Sequence, residues 1–392
     1  TALILSFLTF AAGFIARPIG GIIFGHFGDR IGRKKTLVTA LILMGVSSTL
    51  IGLLPTYAMI GVTAPILLTT LRFAQGIAIG GQWGGAMLLV TESAPSNQRG
   101  YYGAFAQAGA PAGVILANLA FIITSALVSD ESFLAWGWRI PFLASALLIA
   151  ISMYIQLNLE DTKAFKELQS YKENHLKDNN LNETSFKKSP IIEAIKKYPK
   201  RIILAAGAFL SIQVTFYILI AFMLVYGVSD TNLSRADILT AILIASAIQI
   251  PVQFVFASYS DRHGRKGIFM LGAVLTALWA FAIFPLVDTG SFWLTVLAIT
   301  GGLVFLAMMY GPQAAFFTEL FTTEVRYSGA TLGYQFGAIA GGAFAPSIAA
   351  FLWTEYDIVW VSAYIAFASL LTLLSVMTLT ETFQTDLNET TS

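Results

Sequence analysis

The sequence predicts an all-α membrane protein built from two repeated helical units, and three observations predict it. Of the 392 residues, 56% are hydrophobic and only 11% charged, whereas soluble domains carry about 25% charged residues. Apolar runs long enough to cross about 30 Å of hydrocarbon recur along the whole chain. A charged turn, Gly28-Asp29-Arg30-Ile31-Gly32-Arg33-Lys34-Lys35, returns in the second half as Ser260-Asp261-Arg262-His263-Gly264-Arg265-Lys266. Repetition of one charged island between apolar runs marks a duplicated membrane unit.

Eleven spans are expected, at roughly 1–24, 36–54, 62–93, 101–128, 139–158, 200–227, 235–259, 267–287, 291–319, 328–353 and 357–379. All but four of the 23 Lys and Arg residues fall on alternate connections: 25–35, 94–100, 159–201, 260–267 and 320–327. By the positive-inside rule those connections are cytoplasmic. Arg235 lies on the opposite side and Arg139 at a span edge. The first span therefore enters from outside, and the last exits to an acidic cytoplasmic tail, 381–392. Residues 159–199, rich in Lys, Glu and Asn, read as a cytoplasmic linker, with 160–178 and 190–198 as surface-lying amphipathic helices. The linker divides an N-terminal bundle, 1–158, from a C-terminal bundle, 200–380. Counted from the charged turns, the second bundle has six spans and the first five, and the chain opens on Thr1 in apolar sequence. One helix is therefore expected to be absent from the front of the first bundle. Residues 1–24 have no basic leader and are too long for a signal peptide.

The halves echo each other beyond the turn. Thr91-Glu92 followed by Arg99 is matched by Thr318-Glu319 followed by Arg326, at the same spacing. An anion near a helix N-terminus gains about 0.3–1 kcal/mol, so Asp29 is expected to dock on the helix starting near Ser328, with Arg30 or Arg33 reaching Glu92. The mirror set places Asp261 on the helix starting near Gly100, with Arg262 or Arg265 on Glu319. Such contacts would close the cytoplasmic side in one state and break in the other. The plainer reading is a topology signal on a solvated turn.

The turn at Gly28–Lys35 and its repeat resemble the signature of the major facilitator superfamily. The runs Arg17-Pro18-Ile19-Gly20-Gly21, Gly80-Gly81-Gln82-Trp83-Gly84-Gly85-Ala86 and Trp136-Gly137-Trp138-Arg139-Ile140-Pro141-Phe142-Leu143 are similar to its metabolite:proton symporters. Shikimate permease-like members are the nearest in character, and the resemblance extends over the whole chain. It implies the major facilitator fold, with two pseudo-symmetric six-helix bundles and the first helix missing here. It also implies a multi-pass protein of the bacterial inner membrane that works as a monomer by alternating access. The expected cargo is a small organic anion, with a proton as coupling ion and no other cofactor. An uncoupled facilitator or a proline/betaine-like zwitterion carrier is the alternative, and a membrane sensor of transporter fold a remote one.

Two arginines lie inside spans, Arg17 and Arg72. A charge at the bilayer centre costs at least about 2.5–3.5 kcal/mol and faces the bundle interior. Either or both could hold a substrate carboxylate, where a guanidinium binds bidentately; either could instead be structural, bonded to a helix end, to carbonyls or to an acid of the missing helix. Polar and aromatic residues within spans, Gln75, Gln82, Trp83, Gln107, Gln213, Tyr217, Tyr310, Gln313, Tyr334 and Gln335, are expected to line a cavity or bond between helices. Matching the halves by the Glu92/Glu319 offset pairs Trp83 with Tyr310. All 22 Asp and Glu residues fall in connections, tails or helix ends. Gln82 stands where the family commonly shows glutamate, and glutamine cannot titrate. Either a proton site lies in the absent helix, or Glu92, Glu319 or Asp29 does the work, or the coupling is weakened. Zero cysteines and three scattered histidines supply no metal cluster. The basic residues follow topology and form no nucleic-acid groove, and no clustered His, Asp and Glu suggest an enzyme.

Overall fold

The computed structural model describes residues 2–31, 33–158, 190–322 and 325–383; side chains at 2–8, 25–37, 89, 155–156, 190–193 and 327 lie outside the description. Every regular element among the described residues is a helix. Hydrocarbon offers no water to bond backbone groups, so each apolar run closes its own ladder of hydrogen bonds. The first half contains α1 (Ala2–Ile31), α2 (Arg33–Leu53), a single turn α3 (Tyr57–Ile60), α4 (Thr63–Ser93), α5 (Arg99–Gln107), α6 (Gly109–Leu127), α7 (Asp130–Ala135) and α8 (Ile140–Asn158). The second contains α9 (Pro190–Lys197), α10 (Pro199–Tyr217), α11 (Met223–Asp230), α12 (Arg235–His263), α13 (Arg265–Asp288), α14 (Phe292–Glu319), α15 (Arg326–Gly337), α16 (Ala345–Glu355) and α17 (Ile358–Thr378). Among the described residues, eight helical stretches are long and apolar enough to cross a membrane, and Thr9–Phe24 and Val38–Leu53 are shorter apolar helices.

Several boundaries differ from the sequence expectation. The charged turns are helix ends rather than loops: α1 runs through Asp29 to Ile31, and α12 through Asp261 to His263. Continuing the helix satisfies the backbone while carrying charged side chains to the membrane surface. The span expected at 101–128 is broken at Ala108, which ends α5 and precedes α6. Two spans contain π-helical turns, Ile218–Phe222 between α10 and α11 and Ala338–Ala343 between α15 and α16. The surface helix expected at 190–198 is α9, while 160–178 lies outside the described residues.

In the first half α1 runs along α4, and α2 packs on α4 and α8. In the second, α12 runs along α14, α13 lies against α14 and α17, and α10 against α15 and α17. The halves meet where α5 and α6 face α12 and α14, and where α1 faces residues 338–343 and α16. The α1–α4 contact is backbone against backbone. A Cβ at Gly80 would lie 1.9 Å from the Arg17 carbonyl oxygen, and one at Gly76 equally close to that of Gly13. Small residues draw membrane helices into this kind of contact.

Candidate functional site

At the end of the bundle expected to be cytoplasmic, a charged lattice joins the halves. Both carboxylate oxygens of Asp261 accept backbone N–H groups at the start of α5, from Gly100 at 2.8 Å and Tyr101 at 2.8 Å. The first turn of a helix leaves such donors unpaired, and an anion there satisfies them and the dipole together. Gly100 permits this approach: a Cβ would meet Arg265 Nη1 at 2.6 Å and Asp261 Oδ1 at 2.9 Å. Arg265 donates to Asp261 Oδ1 at 2.6 Å and to both oxygens of Glu319, at 3.3 and 3.1 Å. Arg262, the other arginine offered for Glu319, is exposed and takes no part in that pair.

The echoed glutamates and arginines then cross over. Arg99 of the first half lies 3.9 Å from Glu319 of the second, and Arg326 of the second lies 3.5 Å from Glu92 of the first. The segment after α17 completes the lattice. Thr382 Oγ1 donates to Glu319 Oε2 at 2.8 Å, and Glu381 accepts the backbone N–H groups of Arg265 and Lys266 at 2.9 and 3.0 Å. Sequence reasoning missed Glu381 and Thr382, read only as the start of an acidic tail. Asp29, Arg30 and Arg33, expected to form the companion gate, have side chains outside the described residues.

At mid-height the contacts are aromatic and polar. Trp83 on α4 stacks on Tyr334 of α15 with centroids 3.6 Å apart, and Tyr334 stacks in turn on Phe209 at 4.2 Å. Trp83 therefore meets Tyr334, not the expected Tyr310. The offset that matched them superposes equivalent positions of two repeats, and equivalents occupy corresponding places without facing each other. Gln107, at the end of α5, donates to Gln313 Oε1 at 2.7 Å and, at 3.4 Å, to the Tyr310 carbonyl. Gln253, four residues from Gln249 on α12, donates to the Ala104 carbonyl at 3.0 Å. Toward the outside, Tyr217 meets the edges of Phe10 at 5.6 Å and Phe14 at 5.1 Å, and Arg235 lies over the Phe133 ring at 5.5 Å. The halves thus touch at the inner end, at mid-height and at the outer end.

The two intramembrane arginines differ. Arg72 is tied into its own half: it donates to Gln75 Oε1 at 3.2 Å, and Gln75 donates to Ser48 on α2 at 2.7 Å. Arg17 is buried with its guanidinium 3.9 Å above the Phe14 ring, and its Nε has no hydrogen-bond partner. Among the described residues no carboxylate pairs with Arg17. Gln335 is buried with both amide atoms unbonded, as is the Trp83 indole nitrogen. A shallow crevice lined by Pro18, Gly21, Ser328, Thr331 and Gln335 separates α1 from α15 nearby. Gln213 is buried against Gly341, and Gln82 is half-buried.

The profile of the Major Facilitator Superfamily matches residues 2–333 and, overlapping, 230–389. The inner membrane metabolite transport protein YhjE of Escherichia coli (strain K12) is 38% identical over 385 residues, covering 96% of this chain and 84% of that protein. The shikimate transporter of the same organism is 38% identical over 368 residues, covering 92% and 80%. Its proline/betaine transporter is 32% identical over 386 residues, covering 95% and 74%. Among solved structures, the proton:xylose symporter XylE bound to 6-bromo-6-deoxy-D-glucose superposes with a TM-score of 0.71 at 18% identity, over 97% of this chain and 88% of that one. Apolar helices of spanning length, halves that meet through a charge lattice at one end, and these relatives lead to one assignment: the chain belongs to the major facilitator superfamily, as a multi-pass membrane metabolite transporter and not an enzyme.

Proposed function

We propose that the protein carries a small organic anion across the bacterial inner membrane by alternating access, with the substrate carboxylate held at Arg17. One observation carries the reading: Arg17 is a buried cation with an unbonded Nε and, among the described residues, no carboxylate partner. An uncompensated buried charge costs several kcal/mol, and a ligand carboxylate accepting bidentately from the guanidinium would offset that cost. Trp83 and Tyr334, stacked on each other across the interface between the halves, would supply indole and hydroxyl donors. The helices act as two pseudo-symmetric bundles of the six-helix plan, divided at the linker, and rock about the site. The Asp261–Arg265–Glu319 lattice and the Arg99–Glu319 and Arg326–Glu92 pairs close the cytoplasmic side in one state and part in the other.

Proton symport belongs to this reading, through the resemblance to metabolite:proton symporters, with Glu92, Glu319 or Asp29 as the titrating group. A second reading, an uncoupled carrier, is favoured by one feature: among the described spans no Asp or Glu lies at mid-height. Proteoliposome uptake of labelled mono-, di- and tricarboxylates and of glycine betaine, with and without an inward-acid pH gradient, tests both. Carboxylate uptake that the gradient drives above equilibrium is the expected result. Uptake of carboxylate that never exceeds equilibrium would favour the uncoupled carrier, and uptake of betaine alone would overturn the anion reading.

A further inference from the structure

The start of the second bundle carries a basic corner that the proposed transport cycle does not use. Lys196, Lys197, Lys200 and Arg201 are four cations within six residues, and no Asp or Glu occurs from 194 to 229. Lys196 and Lys197 close α9, and Lys200 and Arg201 stand in the first turn of α10. All four are exposed. The corner between the two helices is pinned at Tyr198. Its ring centroid lies 5.6 Å from Lys197 Nζ and 5.0 Å from the Arg201 guanidinium, and its ring meets the edge of Phe321 at 6.2 Å. Arg201 also donates to the Leu320 carbonyl at 3.0 Å. Most other described cations at this end are already engaged: Arg265 and Arg99 with Glu319, Arg326 with Glu92, and Lys266 with the carbonyls of Met377 and Leu379. Among the described residues, no carboxylate pairs with Lys196, Lys197 or Lys200.

We propose that this corner docks the headgroup of an anionic phospholipid, its phosphate among the three lysines and its acyl chains along the outer face of α10. The apolar stretch Pro199–Asp230 is of spanning length, so its first turn stands at the membrane surface. Ile203 lies three residues beyond Lys200 on the same face of α10, one turn deeper, and is 70% exposed. Ile195, beside Lys196 on α9, is 46% exposed. An apolar side chain turned outward on a spanning helix meets hydrocarbon, and a lysine above it lays its stem along that surface and its ammonium among the headgroups. Cations above outward-facing isoleucines match a ligand with an anionic head and apolar tails. Free phosphate would engage the lysines and leave the isoleucines without a role. Each basic residue near an anionic lipid surface strengthens attraction about fivefold. A topology signal accounts for basic residues on this side of the membrane, but it gives no preference for one headgroup over another.

The test is thermal unfolding of the purified full chain in detergent, titrated with dioleoylphosphatidylglycerol, dioleoylphosphatidylcholine or inorganic phosphate. Phosphatidylglycerol is expected to stabilise at a concentration at least about tenfold lower than phosphatidylcholine, and inorganic phosphate at millimolar concentration not at all. The triple variant Lys196→Gln, Lys197→Gln, Lys200→Gln is expected to bring the ratio of the two lipids below about threefold, and Lys200→Gln alone to lower it severalfold. Arg262→Gln removes an exposed cation at the same end but outside the corner, and is expected to leave the ratio unchanged. Equal potency of the two lipids overturns the proposal. Stabilisation by inorganic phosphate as strong as that by phosphatidylglycerol overturns it in favour of a small-anion site. A ratio that persists in the folded triple variant, or in Lys200→Gln should the triple variant not fold, overturns the assignment to this corner. A fall as large in Arg262→Gln as in the triple variant overturns it in favour of diffuse surface attraction.

Discussion

Arg17 and Asp261 are both charges withdrawn from water, and they are compensated in opposite ways. Asp261 has two backbone donors and an arginine around it, so each oxygen is bonded. Arg17 has an aromatic face and, among the described residues, no carboxylate partner. In the proposed mechanism the first arrangement holds the structure shut and the second receives the ligand. Asp261→Asn keeps one acceptor oxygen but loses the charge, at a cost on the order of 1–2 kcal/mol, which shifts a two-state equilibrium about 5–30-fold. The chain has no cysteine, so Ser328→Cys, buried at the inner end, reports opening cleanly. Its modification from the cytoplasmic side should accelerate when Asp261→Asn is added. Unchanged labelling would show that the Asp261 contact does not hold the inner face closed. Asp261, Arg265 and Glu319 were legible in the sequence because repetition of a charged turn survives in one chain. The crossing of Arg99 and Arg326 was not, since their spacing within a half says nothing about which half supplies the partner.

Between residues and molecule stand the helices, whose existence follows from composition and whose contacts follow from small residues. Apolar length located the spans well, since hydropathy is additive along the chain. It does not register the interruption at Ala108, where Pro111 has no N–H to donate to the Gln107 carbonyl, or the two π-helical turns. The α1–α4 contact sets Arg17 in place, because the Arg17 carbonyl itself lies against Gly80. Gly80→Val would push a branched side chain into that carbonyl, and overpacking costs typically about 1–3 kcal/mol. A fall of several degrees in the unfolding temperature in detergent is expected. Gly109→Ala serves as the contrast, since nothing lies within 4 Å of its Cβ. Equal behaviour of the two variants would mean that α1 and α4 do not approach so closely.

At the scale of the whole molecule, the interface between halves is graded from charged at the cytoplasmic end to aromatic and amide at mid-height and aromatic outside. Charged contacts at a membrane surface can exchange partners for solvent when they part, an exchange less open to the contacts at mid-height. The site was only partly legible for this reason. Arg17 and Arg72 stood out alike as intramembrane charges, and only the bond from Arg72 to Gln75, itself bonded to Ser48, distinguishes the two. The most direct measurement is equilibrium binding of a labelled carboxylate substrate to purified wild-type, Arg17→Gln and Arg72→Gln proteins, each verified as folded. Loss of a charge-assisted bidentate contact is worth about 3 kcal/mol or more, so Arg17→Gln should weaken binding at least a hundredfold, with Arg72→Gln changing it severalfold at most. Carboxylate binding that survives Arg17→Gln intact would contradict the account.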